Sequence, residues 1–184
     1  KMQHTREDVF HGTGPASGMS ATLKVGVTKD GKITAVRGAY NFQAGAYPGS
    51  PVGRACTFTF SSYSIPNADV KGLDVVSNRP NVTAYRGPGA PQGNYVFESM
   101  LDEIADQLGM DPWELRRRNL IAPDQPTIYG AKIGDAGLEE CIAAVENHPN
   151  SKVPLGPNQG RGIAVGYWGN AGGESSAQLH INED

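Results

Sequence analysis

The sequence contains 184 residues, of which 38% are hydrophobic and 19% charged, so the chain is long and apolar enough to fold around a buried core. Its formal net charge of -3 and the lack of a basic block argue against a nucleic-acid partner. No apolar run reaches the length of a membrane span, so no membrane partner is expected either. The 24 glycines and 13 prolines predict many turns and long shaped loops.

The spacing of cysteines and histidines does not indicate a metal site. Cys56 and Cys141 match neither a CxxC nor a metal-finger pattern, and the four histidines form no HxH or HExxH cluster. We therefore interpret both thiols as idle groups in a reducing, cytoplasmic compartment.

The first half of the chain predicts mainly strands. Alternating apolar and polar residues over 20–42 predict a β-hairpin whose turn contains Asp30-Gly31. That dipeptide is typical of a type I′ turn, in which both central residues have positive φ. Residues 53–60 fit a short helix or a strand equally, because the window is too short to decide. A further strand is predicted over 68–78.

A long amphipathic helix is predicted over 91–108. Apolar residues recur there at intervals of four, and Gly109 is placed to end the helix in a left-handed conformation. The residues predicted to face inward are Val96, Met100 and Ile104, with Phe97, Leu101 and Ala105 beside them.

A second helix begins after Asp111, which is predicted as its N-cap with Pro112 in the first turn and Glu114 as capping-box partner. The three arginines at 116–118 fall in its last turn, where the helix dipole explains them without a ligand. A third helix is predicted near 136–147.

Two strands are predicted at the C-terminal end, over 160–169 and 175–182, on either side of a turn at 170–174. The mixture of hairpin, strands and helices predicts an α+β fold with a mixed β-sheet and helices packed on one face.

The most unusual segment is 86–92, between a strand and the N-terminus of the long helix. Its glycines would let the backbone approach a ligand, and free amides at a helix N-terminus favour an anionic or polarised group. A tight structural connector fits the same residues equally well.

Segment 85–92 reads Tyr-Arg-Gly-Pro-Gly-Ala-Pro-Gln, and residues 98–120 carry a Glu, then Asp-Glu-Ile-Ala, then Asp-Pro-Trp-Glu-Leu-Arg-Arg-Arg-Asn. In this order the motifs resemble the molybdopterin-binding, catalytic subunit of the xanthine dehydrogenase/aldehyde oxidase family. The hairpin, the segment 53–55 and the segment 63–67 have counterparts in the same order, so the resemblance extends over nearly the whole chain. Lysine at position 1 fits an internal fragment.

This resemblance implies an oxidoreductase, a molybdenum hydroxylase that oxidises an aldehyde or an N-heterocycle with water as oxygen source. Its cofactor would be a molybdenum-pterin, as molybdopterin or its dinucleotide, and electrons would pass to Fe-S and FAD subunits or domains. The family's glutamate base and its Gln-containing cofactor loops do not occur here, and Glu174 does not occupy the position of that base. The chain alone is therefore expected to hold no cofactor and to be inactive.

The resemblance also assigns roles to four residues. Arg54 matches an arginine that stabilises negative charge developing on the substrate, and the backbone amide of Arg86 is expected near the molybdenum. Gly87 belongs to the same cofactor loop and stands where carbon monoxide-oxidising relatives carry a copper-bridging cysteine, so no Mo–Cu centre is expected. Pro88 replaces a phenylalanine that stacks on flat substrates, which predicts a substrate other than xanthine. An ordinary loop arginine at 54 and a salt bridge at 86 are the structural alternatives.

Residues 1–150 are expected to form part of the first cofactor-binding lobe, and 151–184 a linker with the first strands of the second. Two other functions fit part of the pattern. One is a cofactor-free interaction or assembly module of the same fold, because a fold does not fix a function. The other is a nucleotide site at 87–93, which lacks the acidic ribose-binding residue of a dinucleotide fold.

Overall fold

A computed structural model describes residues 2–169 and 173–182. The elements in chain order are α1 (Arg6–Gly12), β1 (Met19–Val27), β2 (Ile33–Gly45), α2 (Val52–Phe58), β3 (Ala68–Val76), α3 (Ala90–Leu108), α4 (Pro112–Asn119), α5 (Leu138–Asn147) and α6 (Pro149–Lys152). No helix within the described ranges is both long and apolar enough to cross a membrane.

The three strands form one sheet in the order β1-β2-β3, with β1 antiparallel and β3 parallel to β2. The predicted hairpin is confirmed, but its turn is not type I′. Only Gly31 has positive φ (82°), and its N–H donates to the Thr28 carbonyl oxygen at 2.9 Å. A left-handed glycine after an ordinary turn gives this three-residue loop, so Asp30 needs no positive φ.

One face of the sheet is covered by helices, as the sequence predicts. Side chains of β2 alternate along the strand, and Val36, Tyr40 and Phe42 are buried on the covered face. Helix α2 lies directly on β3, because a Cβ at Gly72 would be 2.6 Å from Val52 Cγ2 and 2.8 Å from the Cys56 sulfur. Burial raises the pKa of the Cys56 thiol, which fits a packing role.

Helix α3 confirms the predicted span, and Gly109 ends it with φ of 62°. Its buried stripe contains Phe97, Leu101 and Ala105. Ile104 is only half-buried, although it packs against the core, so the predicted stripe is displaced by one residue. Aromatic rings account for the displacement, because the Phe97 ring lies edge-on to those of Phe60 and Tyr63, at 4.9 and 5.4 Å between centroids.

Helix α4 has the predicted N-cap, since the Asp111 carboxylate accepts from the N–H groups of Trp113 and Glu114. The predicted capping box does not form, because the Glu114 carboxylate accepts from the Arg118 Nε at 2.6 Å instead. The last residue of the helix, Asn119, fastens it to the hairpin. The Asn119 amide oxygen accepts from the Ile33 N–H at 2.8 Å, and its amide nitrogen donates to the Gly31 carbonyl oxygen at 2.7 Å. The hairpin and α4 are thus joined in the fold through Ile33 and Asn119, which are 86 residues apart in the sequence.

Of three further helices, one was not predicted, one settles a segment that fitted a helix or a strand equally, and one confirms a prediction. Helix α1 was not predicted, although Thr5 and Asp8 form a capping box at its start. The segment 53–60 is mainly helical, as α2. The third predicted helix is present as α5, with Ile142 buried and Val145 exposed.

The two strands predicted at 160–169 and 175–182 are wrong, because neither segment forms a strand. A strand requires a neighbour for its N–H and C=O groups, and none of the described strands lies beside either segment. Part of the first segment instead packs against the helices. The turn predicted at 170–174 falls mostly on residues 170–172, outside the described residues, while Glu174 is exposed.

Candidate functional site

A cleft of about 320 Å³ lies between the loop that leads into α2 and the loop that leads into α3. It contains two of the four residues selected from the sequence, Arg54 from the first turn of α2 and Pro88 from the second loop. The remaining lining residues are Gly49, Ser50, Pro51, Gly53, Val82, Thr83 and Ala84. Arg86 and Gly87 precede Pro88 directly, so all four belong to this region.

The first wall of the cleft is fixed by β3. The Asp74 carboxylate accepts from the Gly49 N–H at 2.8 Å and from the Ser50 N–H at 3.1 Å. This pair of bonds ties the loop to the strand just before α2 begins. Arg54 is therefore presented from a helix whose entry is anchored.

The second wall depends on two glycines with positive φ, Gly87 at 71° and Gly89 at 90°. A Cβ at Gly89 would lie 2.5 Å from the Pro51 carbonyl oxygen, so this loop touches the start of α2 through bare backbone. Pro88 is buried between them and contributes a small apolar patch to the cleft. The loop is thus both a tight connector and a wall of the cleft.

Some hydrogen-bond donors near the cleft have no acceptor among residues 2–169 and 173–182, namely the guanidinium groups of Arg54 and Arg86 and the N–H groups of 84–87. Within the described part of the chain, neither Arg54 nor Arg86 forms an ion pair, and both are exposed. No hydrogen bond to residues 2–169 or 173–182 uses the backbone N–H groups of 84–87. A group with anionic oxygens matches such a donor set, because guanidinium and amide N–H groups favour developing or fixed negative charge.

Trp168 is a neighbour of the cleft that sequence reasoning missed. The Arg54 guanidinium carbon lies 5.5 Å from the centroid of its indole, and the Phe58 ring packs edge-on to it at 5.1 Å. The nearest indole carbon is 3.8 Å from the position of a Cβ at Gly87. No sequence signal indicates this contact, since Trp168 and Arg54 are distant in the chain and belong to different predicted units.

A buried ionic cluster lies beneath the cleft loops, centred on Glu98 of α3, which is 4% exposed. One carboxylate oxygen accepts from the Tyr63 hydroxyl at 2.6 Å, and the other from the Arg116 Nε at 2.8 Å and the Val165 N–H at 3.0 Å. Arg116, fully buried, also lies 2.8 Å from an Asp102 oxygen. The dipole explanation of the arginine run is thus incomplete, because Arg116 neutralises a buried carboxylate. The sequence contained one indication of this cluster, a glutamate next to Phe97 on the apolar face of the predicted helix.

The cluster fixes the protonation of Tyr63 and Arg116. Burial raises the pKa of Tyr63 well above its usual range, and the charge of Glu98 raises it further, so the hydroxyl remains a donor. Burial tends to lower the pKa of Arg116, but Glu98 outweighs it and the guanidinium stays charged. Because Val165 donates to the same carboxylate, the cluster also holds the segment that carries Trp168 against α3.

Metal ligands of the usual kind are not grouped together in the described ranges, where no three His, Cys, Asp or Glu side chains form a cluster suited to an ion. Cys56 and Cys141 are both free thiols.

Comparison with known proteins relates this geometry to a family. Residues 1–120 match the family model described as the molybdopterin cofactor-binding domain. The chain is 31% identical over 170 residues to the aldehyde oxidoreductase of Megalodesulfovibrio gigas, covering 85% of this chain and 18% of that protein. It is 31% identical over 137 residues to xanthine dehydrogenase/oxidase of Gallus gallus, covering 71% and 10%.

The fold is also similar to that of solved oxidoreductase structures. Quinoline 2-oxidoreductase from Pseudomonas putida 86 superposes with a TM-score of 0.72 at 26% identity, covering 81% of this chain and 20% of that one. The chain spans a fifth or less of the length of these three relatives. It belongs to the molybdopterin cofactor-binding domain family of the xanthine dehydrogenases and aldehyde oxidoreductases.

Proposed function

We propose that this chain forms one side of the cofactor and substrate site of a molybdenum hydroxylase that oxidises an aldehyde or an N-heterocycle, taking oxygen from water. The observation that carries the proposal is the cleft in which Arg54, free of any described ion pair, faces a loop whose N–H groups at 84–87 donate to none of the described residues. Electrons from the substrate would pass to Fe-S and FAD subunits or domains of the same enzyme.

The residues of the loop suit a molybdenum-pterin cofactor, as molybdopterin or its dinucleotide. Positive φ at Gly87 and Gly89 shapes the loop, the N–H groups of 84–87 donate to none of the described residues, and Arg86 adds an exposed positive charge. These are the donors that would hold the anionic group, with the amide of Arg86 closest to the metal. When bound, the cofactor supplies the two-electron oxidation that converts a C–H bond of the substrate to C–OH.

Arg54 and Pro88 act on the substrate in this proposal. The Arg54 guanidinium would donate to a substrate oxygen or nitrogen that gains negative charge as the reaction proceeds. Pro88 offers a small rigid apolar surface and no aromatic face, which disfavours xanthine relative to other heterocycles or aldehydes. Residues 1–150 would form part of the first cofactor-binding lobe, and 151–184 the linker and the start of the second lobe.

The test is steady-state kinetics of the molybdenum-loaded enzyme that contains this chain, with xanthine, a pyridine and an aldehyde as substrates. Arg54→Ala should lower kcat for the heterocycle about ten- to hundredfold with little change in KM, because one charge-assisted hydrogen bond is lost only in the transition state.

The matched control is Arg37→Ala, which removes an exposed arginine on the uncovered face of the sheet and should leave kcat unchanged. An enzyme that oxidises neither an aldehyde nor an N-heterocycle would refute the proposal and favour a non-catalytic assembly module. Xanthine as the best substrate would refute the role given to Pro88.

A further inference from the structure

The Arg54 guanidinium at the cleft is held by an aromatic ring and not by a carboxylate. Its central carbon lies 5.5 Å from the centroid of the Trp168 indole, and no acidic side chain of the described residues pairs with it. The three arginines at 116–118 of α4 are held differently, each by at least one glutamate. Within the described part of the chain, the indole is thus the charge-directed contact of Arg54.

The two ways of holding an arginine have different consequences for its chemistry. An aromatic face attracts a cation through its quadrupole, but it does not accept from the N–H groups as a carboxylate does. A carboxylate beside Arg54 would neutralise its charge and occupy the N–H groups that a substrate needs. The indole leaves charge and donors available, while it limits the rotamers of a side chain that is otherwise exposed.

Trp168 is itself fixed from outside the cleft, whose lining does not include it. Phe58, one helical turn after the arginine on α2, packs at a steep angle to the indole with 5.1 Å between ring centroids. Three residues before the indole, the Val165 N–H donates to Glu98. One residue after it, a Cβ at Gly169 would lie only 3.0 Å from the Phe58 ring. The segment is thus fastened on both sides of the indole, to α3 and to α2.

We propose that Trp168 is a positioning residue, which holds the Arg54 guanidinium at the cleft and leaves its N–H groups free for the substrate. The inference rests on the proposed function, because it concerns the orientation of the arginine that stabilises developing charge. Trp168 lies outside residues 1–120, which match the family model. The segment 162–168 therefore contributes to the site through Arg54 and not through a contact of its own with the substrate.

A double-mutant cycle tests the inference in the molybdenum-loaded enzyme with nicotinate as substrate. Trp168→Leu should lower kcat about two- to tenfold with little change in KM, because a loosely held guanidinium meets the transition-state charge less often. In the Arg54→Ala background the same substitution should have almost no further effect on kcat. Trp168→Phe, which keeps an aromatic face, should retain most of the kcat. An equal loss in both backgrounds would overturn the inference, since Trp168 would then act without Arg54.

The matched control is Trp113→Leu, the same substitution at the other tryptophan, which does not line the cleft. It should leave kcat for nicotinate unchanged. A loss as large as that in Trp168→Leu would indicate a general effect of removing an indole from the fold, and would also overturn the inference.

A second measurement needs neither activity nor cofactor. Nuclear magnetic relaxation of the Arg54 Nε–H group in the 184-residue chain reports how firmly the side chain is held. Its order parameter should exceed that of Arg86, to which the described residues offer neither an ion pair nor an aromatic face. In Trp168→Leu it should fall to the level of Arg86, and in Trp168→Phe it should remain close to that of the unchanged chain.

An Arg54 order parameter that Trp168→Leu does not change would overturn the inference, whatever the kinetics show. The two proposals can also fail separately. If the order parameter falls as expected while the loaded enzyme oxidises neither an aldehyde nor an N-heterocycle, the proposed function fails and the holding of Arg54 by Trp168 stands.

Discussion

Glu98 shows how much a single buried charge determines in this chain. Its carboxylate accepts from Tyr63, Arg116 and Val165, which belong to three separate parts of the sequence. Removing one partner of a buried ion pair leaves the other charge uncompensated, so the loss exceeds that of a surface pair several-fold.

Glu98→Gln should therefore lower the free energy of unfolding by about 3–5 kcal/mol, since the buried Arg116 keeps only the half-exposed Asp102 as counter-charge and the Gln amide cannot accept from all three donors. Chemical denaturation of the chain measures the change. The matched control is Glu139→Gln, which breaks the half-exposed pair with Arg117 at 2.9 Å and should cost about 1 kcal/mol or less. Similar losses in the two variants would contradict the importance of the buried cluster.

At the scale of elements, α3 offers a direct test of how its face is oriented. Leu101 is 1% exposed and Ile104 half-buried. Leu101→Ala should cost about 2–5 kcal/mol of unfolding free energy, because it leaves a cavity in the core. Ile104→Ala should cost less than half as much, because solvent already reaches that side chain. A larger loss at Ile104, measured by the same denaturation, would restore the orientation predicted from the sequence.

The elements that were predicted correctly are those whose signals are local. Asp111 and Pro112 start α4, Gly109 ends α3, and the alternation over 20–42 makes the hairpin, each through neighbours within a few residues. The segment 160–169 has the alternation of a strand but finds no strand beside it, and pairing is a long-range property.

The sequence predicted the part of the candidate site that is carried by local motifs. Arg54, Arg86, Gly87 and Pro88 were selected from motifs, and the fold brings Arg54 and Pro88 into one cleft. Trp168 and the Glu98 cluster were missed, because stacking and buried ion pairs join residues that no sequence spacing relates.

At the scale of the whole molecule, this chain covers only a small part of the length of its relatives. That small coverage leads to a prediction about how much cofactor the chain can hold. The chain spans 18% of the Megalodesulfovibrio gigas protein, and the donors proposed for the cofactor are only the four N–H groups of 84–87 and the exposed arginines Arg54 and Arg86. Most of a bound pterin would therefore remain in solvent. Purified alone, the 184-residue chain should contain far less than one molybdenum per chain and oxidise neither aldehydes nor N-heterocycles. Elemental analysis near one metal per chain would contradict this.

We expect the Val165 N–H to exchange slowly with solvent, although its segment has neither helix nor strand. Its acceptor is buried, so deuterium can replace this proton only when the segment separates from α3. Its neighbours in 162–168 make no such bond within the described residues and should exchange within the time that exposed loop amides require. The exchange rate at this one position would thus report how often the part of the chain that carries the tryptophan detaches and returns.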